Sequence, residues 1–236
     1  NDLVKGRDID AIVMSAGGND VGFGSILTSC ALQSNCPLAT TTTPPLSAYP
    51  TMQTGVQALT AELPTGYSLI NKCFTDSTCT GTQNQNLPGL SLSPIGQVFL
   101  NSYPDPTRSE TGSTCSYLTI SQEDFAWAHD TILDPSPVDP FMYRTTQGRV
   151  VPLSSGAGSL NGAIANTTQI GWKPIMGTWS KTGTGSTGHG VCAGGQSWIF
   201  GLTGIFGFTS GSFHPNPVGQ KKISGIIFRE MVASGF

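Results

Sequence analysis

Two short stretches carry side chains able to move a proton or hold a developing negative charge. The first is Ser15-Ala16-Gly17-Gly18-Asn19-Asp20-Val21-Gly22-Phe23. Glycines allow a sharp turn and a close backbone approach to a substrate, and an asparagine amide at such a turn can donate to an oxyanion. Asn19 is therefore the candidate donor, with Gly17, Gly18 and Asp20 supporting the loop that presents it. The second stretch is Gly211-Ser212-Phe213-His214-Pro215-Asn216. A histidine held between a turn and a helix start is placed to act as a general base. Each stretch also has a plain reading: Gly-Gly-Asn-Asp is a common turn whose Asn and Asp cap the next helix, and a single His-Pro carries little alone.

These residues need a frame, and the chain supplies one. Ile9 to Ser15 is apolar and β-branched, as in a buried parallel strand, and the glycine turn lies at its carboxyl end. In open α/β sheets ligands bind at that end. Ile95 to Asn101 reads as a second strand, closed by Ser102-Tyr103-Pro104-Asp105-Pro106, because alternate prolines cannot continue a central strand. Ser159 to Ile170 has helical spacing and a stop at Gly171, and Trp172 to Met176 reads as a third, proline-shortened strand. Pro217 to Val232 repeats apolar residues near a 3.6-residue period and predicts a terminal amphipathic helix. Between roughly Leu38 and Leu92 the chain is rich in Thr, Pro, Gln and Asn, with helices expected over Met52 to Leu63 and Tyr67 to Phe74; this is read as a disulfide-braced insertion over one edge of the site. No repeat of roughly 20–50 residues is visible.

The 236 residues suit a single domain. Lys and Arg total 11 against 14 Asp and Glu, and no basic run occurs, which removes the sequence footprint expected for nucleic acid or an anionic membrane surface. No run of ~18 apolar residues is present, so no transmembrane helix is expected. Six cysteines without a C-x-x-C pair favour disulfides in an oxidising compartment over a zinc site. Loop closure pairs Cys30 with Cys36 and Cys73 with Cys79, and elimination pairs Cys115 with Cys192. No cofactor or metal is expected. His129 reads as an exposed or half-buried helical residue, and His189 as a loop residue denied a metal role by the bridging of Cys192. Asn166-Thr167-Thr168 matches a glycosylation acceptor, a triplet common by chance.

Taken together and in this order, Gly17-Gly18-Asn19-Asp20 at a strand end and His214-Pro215-Asn216 before the last helix resemble the SGNH or GDSL-type serine hydrolases. The resemblance extends to Gln97-Val98-Phe99-Leu100-Asn101-Ser102-Tyr103-Pro104, to Leu160-Asn161-Gly162-Ala163-Ile164, and to Gly188-His189-Gly190-Val191-Cys192 followed by Trp198. It implies a three-layer α/β/α sandwich with a central, mostly parallel sheet, secretion to an extracellular or periplasmic space, and a bacterial source. It also implies hydrolysis of a small-molecule or lipid ester through a serine acyl-enzyme, with His214 as base and acid and Asn19 in the oxyanion hole. Acyl transfer and carbohydrate deacetylation use the same groups.

The sequence departs from the family pattern in three places. No Gly-Asp-Ser triplet occurs, nor a Gly-x-Ser-x-Gly elbow; the serine is expected on an N-terminal segment or companion chain outside these residues, since the first strand here corresponds to the family's third. The glycine block that donates a second backbone N–H is missing with it. The aspartate three residues before the histidine is replaced by Gly211, so the orienting acceptor for His214 is expected to be a main-chain carbonyl near Thr209 to Gly211. On this reading the chain alone is catalytically silent. The competing reading is a non-catalytic esterase-like binding module.

Overall fold

The computed structural model describes residues 9–75, 92–135, 142–144, 150–152, 158–182, 187–201 and 212–236. In chain order the strands and longer helices are β1 (Ile9–Met14), α1 (Phe23–Leu32), α2 (Met52–Thr75), β2 (Leu92–Asn101), α3 (Gln122–Trp127), β3 (Met142–Arg144), β4 (Val150–Pro152), α4 (Leu160–Ala165), β5 (Lys173–Ile175), α5 (Gly177–Thr182) and α6 (Pro217–Ala233). The main sheet has the order β1-β2-β5 and is parallel throughout, with Val13 opposite Phe99 and Leu100 opposite Pro174. Pro174 is tolerated because β5 lies at an edge of the described sheet, where a missing N–H breaks no ladder on the open side. β3 and β4 form a separate antiparallel pair.

Alternation along β2 builds the layers. Val98 and Leu100 pack with Leu63, Tyr67, Leu160, Ile164 and Trp172 from α2, α4 and the approach to β5. Phe99, between them, turns to the opposite face and packs with Ile175, Trp198, Ile223 and Ile226, the last two from α6. A period of two in the strand thus meets helices on both faces, the arrangement expected of an α/β/α sandwich.

The stretch expected to hold two helices holds one. α2 runs unbroken through Pro64 for 24 residues. Proline in a helix interior removes a hydrogen bond and costs ~3 kcal/mol. Met52, Val56, Leu63, Tyr67 and Phe74 nevertheless stay in helical register across it and are all buried. Fully burying each such side chain is worth ~1.5–3 kcal/mol, so keeping the register outweighs the cost of the proline. Where described, this stretch is core-forming. The terminal helix extends one residue beyond expectation, and the helix before Gly171 tightens to a 3₁₀ turn over Asn166–Ile170 that Gly171 stops with φ 82°.

Cys30–Cys36 and Cys115–Cys192 are bonded. Cys73 is also in a disulfide, while Cys79, its expected partner, lies outside the described residues.

Candidate active site

The loop after β1 is a closed turn. Val21 N–H donates to the Gly17 carbonyl at 3.0 Å, Gly22 N–H to Asn19 at 3.0 Å and Phe23 N–H to Gly18 at 2.9 Å, leading directly into α1. Two tyrosines from separate elements grip it. Tyr67 of α2 donates its hydroxyl to the Ala16 carbonyl at 2.9 Å, and Tyr103, just past β2, accepts the Gly18 N–H at 2.9 Å. This close grip explains both glycines: a Cβ on Gly17, whose φ is +112°, would lie 2.6 Å from the Tyr67 hydroxyl, and one on Gly18 would lie 2.8 Å from the Tyr103 ring. Burial, with Tyr103 and Asp20 nearby, pushes the Tyr67 phenol well above its ordinary range, so it remains a donor. Asn19 and Asp20 stand exposed at the tip of the turn.

The second loop is held by main chain and by one apolar anchor. Phe213 N–H donates to Phe200 at 3.0 Å, Phe200 N–H donates to His214 at 2.8 Å, and Ile199 bridges to Pro215. Phe213 takes the left-handed conformation, φ 58°, and buries its ring edge-on between Tyr117 and Phe125. A non-glycine residue at such a φ is held there at a cost of ~1–3 kcal/mol by its surroundings. Asn216 caps α6, accepting Gly219 N–H at 2.8 Å, and its amide donates to the Ser197 carbonyl at 2.7 Å. His214 is thereby fixed at both neighbours while its own ring stays exposed.

His214 Nδ1 lies 3.0 Å from the Ser212 carbonyl. A carbonyl can only accept, so Nδ1 carries the proton and Nε2 presents its lone pair. The acceptor beside Nδ1 is a main-chain carbonyl one residue beyond the Thr209 to Gly211 stretch; Gly211 itself lies outside the described residues.

One cavity of about 620 Å³ joins the two loops: Ser15, Asn19 and Tyr103 line one side and Phe213 and His214 the other, with Phe23 between. A neighbouring groove of about 740 Å³ shares Asn19 and runs past Asp20, Pro45, Leu59 and Leu63. The tyrosine braces were not singled out from sequence. Tyr67 falls where the family resemblance is silent, while the Tyr-Pro ending after β2 was the one signal that marked Tyr103.

His129 departs from its expected place. It is buried in a π-helical turn, Ala128–Leu133, that continues α3. Its Nδ1 lies 2.6 Å from Asp105, its Nε2 meets Arg108, and its ring stacks on Trp179. Both nitrogens are satisfied away from the cavity, which is why the ring can be buried. His189 stacks on Trp198 with centroids 4.0 Å apart, and its Nδ1 lies 2.9 Å from the Gln196 carbonyl. Cys192 is bonded to Cys115 and offers no thiolate.

No family model matches the sequence, and no curated protein matches it either. Among solved structures, an extracellular lipase from Streptomyces rimosus aligns over 95% of this chain and 70% of its own, at 17% identity and a TM-score of 0.53. A phospholipase A1 from Streptomyces albidoflavus aligns over 95% of this chain and 69% of its own, at 17% identity and a TM-score of 0.51. The chain has the fold of the SGNH/GDSL-type hydrolases. In that fold the cavity occupies the carboxyl end of the parallel strands, where β1 gives way to the Asn19 loop and β2 to Tyr103. Among the described residues no helix is long and apolar enough to cross a membrane.

Proposed function

We propose that this chain is the larger part of a carboxylic-ester hydrolase in which His214 is general base and acid, Asn19 is an oxyanion donor, and the serine comes from a segment or companion chain outside these 236 residues. The observation that carries the reading is the shared cavity: an exposed amide and an imidazole whose Nε2 meets no partner among the described residues face one space, though 195 positions separate them. In the reaction Nε2 takes the serine proton as Oγ attacks the ester carbonyl, then returns it to the leaving alcohol. The Asn19 amide donates to the oxyanion. With the Ser212 carbonyl in place of a carboxylate, the tautomer is held firmly but the imidazolium gains less stabilisation.

The sheet supports a missing neighbour. β1 has the apolar sequence of an interior strand, yet among the described residues it pairs only with β2, none of its residues is fully buried, and Val13 is 46% exposed. An apolar strand with an open edge is a site for further pairing, and a strand added there would end beside Ser15 and the cavity. About three tenths of each Streptomyces enzyme has no counterpart in this chain. The lipase and phospholipase neighbours favour a lipid ester as substrate and an extracellular setting.

The test is p-nitrophenyl ester hydrolysis and fluorophosphonate labelling of the 236-residue chain and of the full gene product, each also as Ser15→Ala. Labelling of the full product alone, unaffected by Ser15→Ala, is expected. Labelling of the short chain, lost on Ser15→Ala, would assign the nucleophile to Ser15, which also lines the cavity. No labelling of either would return the chain to the binding-module reading.

A further inference from the structure

α6 is apolar on two faces. Its inner face, Gly219, Ile223 and Ile226, is buried, and Gly219 approaches the Trp198 carbonyl so closely that a Cβ would lie 2.1 Å from it. Its outer face should be polar if it met only water. Instead Val218, Phe228 and Val232 are 56%, 68% and 51% exposed. With Lys221, Lys222, Gly225 and Arg229 they fall at i, i+3, i+4, i+7 spacing on one side of the helix, as helix geometry requires.

The cations there are joined by another from elsewhere in the chain. Lys181 of α5 and Lys221, Lys222 and Arg229 of α6 line one groove of about 690 Å³ floored by Trp198 and Ile226, and no acidic residue lines it. Four of the chain's 11 basic residues therefore share one face of a protein whose net charge is -3. Glu230, the helix's one acid, is drawn inward to the backbone N–H groups of Gly177 and Met176. The sequence hides this patch because Lys181 is remote and Arg229 lies about two helical turns beyond the Lys221-Lys222 pair.

We infer that the outer face of α6 with Lys181 docks on an anionic lipid surface, the cations meeting headgroups and Val218, Phe228 and Val232 entering the interface. A helix with exposed apolar residues flanked by Lys and Arg lies in the plane of such an interface, and both its apolar area and its charge contribute to binding. Charge complementarity selects the occupant: a neutral surface, or the same face of a second copy of this chain, would leave four clustered cations unmatched. The groove begins at Pro217, three residues after His214, so docking would hold the candidate active site near the lipid. The inference stands on this face alone and not on the catalytic reading.

The experiment is flotation of the full-length protein with vesicles of phosphatidylcholine, with or without ~30% phosphatidylglycerol, at low salt and at about 0.5 M salt. Binding only to the anionic vesicles, weakened by salt, is expected. Lys221→Ala with Lys222→Ala should weaken it roughly thirty-fold, from a loss of ~1 kcal/mol per cation at the surface, and Phe228→Ser should weaken what remains in high salt. All three residues are exposed, so the melting temperature should not move. Equal binding to neutral vesicles, no binding to anionic ones, or indifference to both variants would overturn the inference. A dimer that forms without lipid and is dispersed by Phe228→Ser would overturn it in favour of self-association.

Discussion

His129 and His214 are both imidazoles fixed by an acceptor at Nδ1, and the molecule uses them in opposite ways. His129 has the stronger partner, a buried carboxylate at 2.6 Å, and would look like half of a catalytic pair from that contact alone. Arg108 closes its other nitrogen and Trp179 covers its face. With both ring nitrogens engaged, the ring joins the loop after β2 to the π-helical turn after α3 and has nothing left to offer a substrate. His214 has only a carbonyl at Nδ1, but among the described residues its second nitrogen meets no partner, and its ring is open to a cavity. Chemistry depends on what a side chain leaves unsatisfied, and the weaker partnership is the one that leaves something.

The sharpest way to break this comparison is to delete each ring in the full gene product. His214→Ala should lower kcat/KM for a p-nitrophenyl ester at least about a thousand-fold, as loss of a general base to a serine nucleophile does, with the melting temperature unchanged because the ring is exposed. His129→Ala should do the reverse. It removes the closest donor to the buried Asp105 carboxylate, leaving Arg108 Nε at 3.3 Å on that oxygen, and opens a cavity beside Trp179, for a loss of about 2–4 kcal/mol in denaturant unfolding, while kcat of the folded fraction stays near the parent value. Equal catalytic loss in both variants would dissolve the distinction.

Asn19→Ala comes next. If the amide stabilises the oxyanion, kcat should fall about 10²–10³-fold with little change in KM, and stability should hold, since Asn19 is exposed at the tip of its turn. A change confined to KM would make Asn19 a substrate-binding residue instead.

The strands, the terminal helix and the two chemical loops were legible because each has a local signature: a short β-branched run, a 3.6-residue period, or glycines at a strand end. What escaped the sequence depended on partners far along the chain. Asp105 and His129 are 24 positions apart, and nothing in Ala128-His129-Asp130 signals that a carboxylate and a guanidinium will be delivered to it. α2 looked divided because Pro64 is a strong local breaker, and only burial on the tertiary scale overrides it. The basic face escaped for the same reason, since Lys181 joins the three cations of α6 only when α5 and α6 pack.

The loop that carries His214 supplies a third test. Phe213 combines a left-handed backbone with a ring wedged between Tyr117 and Phe125, so the anchor holds the strain. Phe213→Ala keeps the strain and loses the anchor, and a buried Phe→Ala change costs ~3–5 kcal/mol. Phe213→Gly also loses the anchor but relaxes φ, so it should be the less destabilised of the two by ~1 kcal/mol, measured by chemical unfolding. The reverse order would mean that the left-handed turn is not strained.

The smallest expected effect concerns the opposite loop, where side chains rather than main chain do the holding. Tyr103→Phe removes the acceptor of the Gly18 N–H, and Tyr67→Phe removes a donor to the Ala16 carbonyl. A carbonyl left short of one partner keeps a second lone pair for water, whereas an N–H left alone has nothing in reserve. Tyr103→Phe should therefore cost about 1–2 kcal/mol and Tyr67→Phe about 0.5–1 kcal/mol. Tyr67→Phe carries a further signature: by removing the hydroxyl that a Cβ on Gly17 would meet at 2.6 Å, it should recover part of the damage caused by Gly17→Ala. The recovery can only be partial, because the +112° φ and the Leu160 methyl at 2.8 Å remain. A double-mutant cycle in urea measures the coupling. Strict additivity of the two changes would show that the Tyr67 hydroxyl does not press on the turn, and that the glycine is required by its backbone angle and the Leu160 methyl.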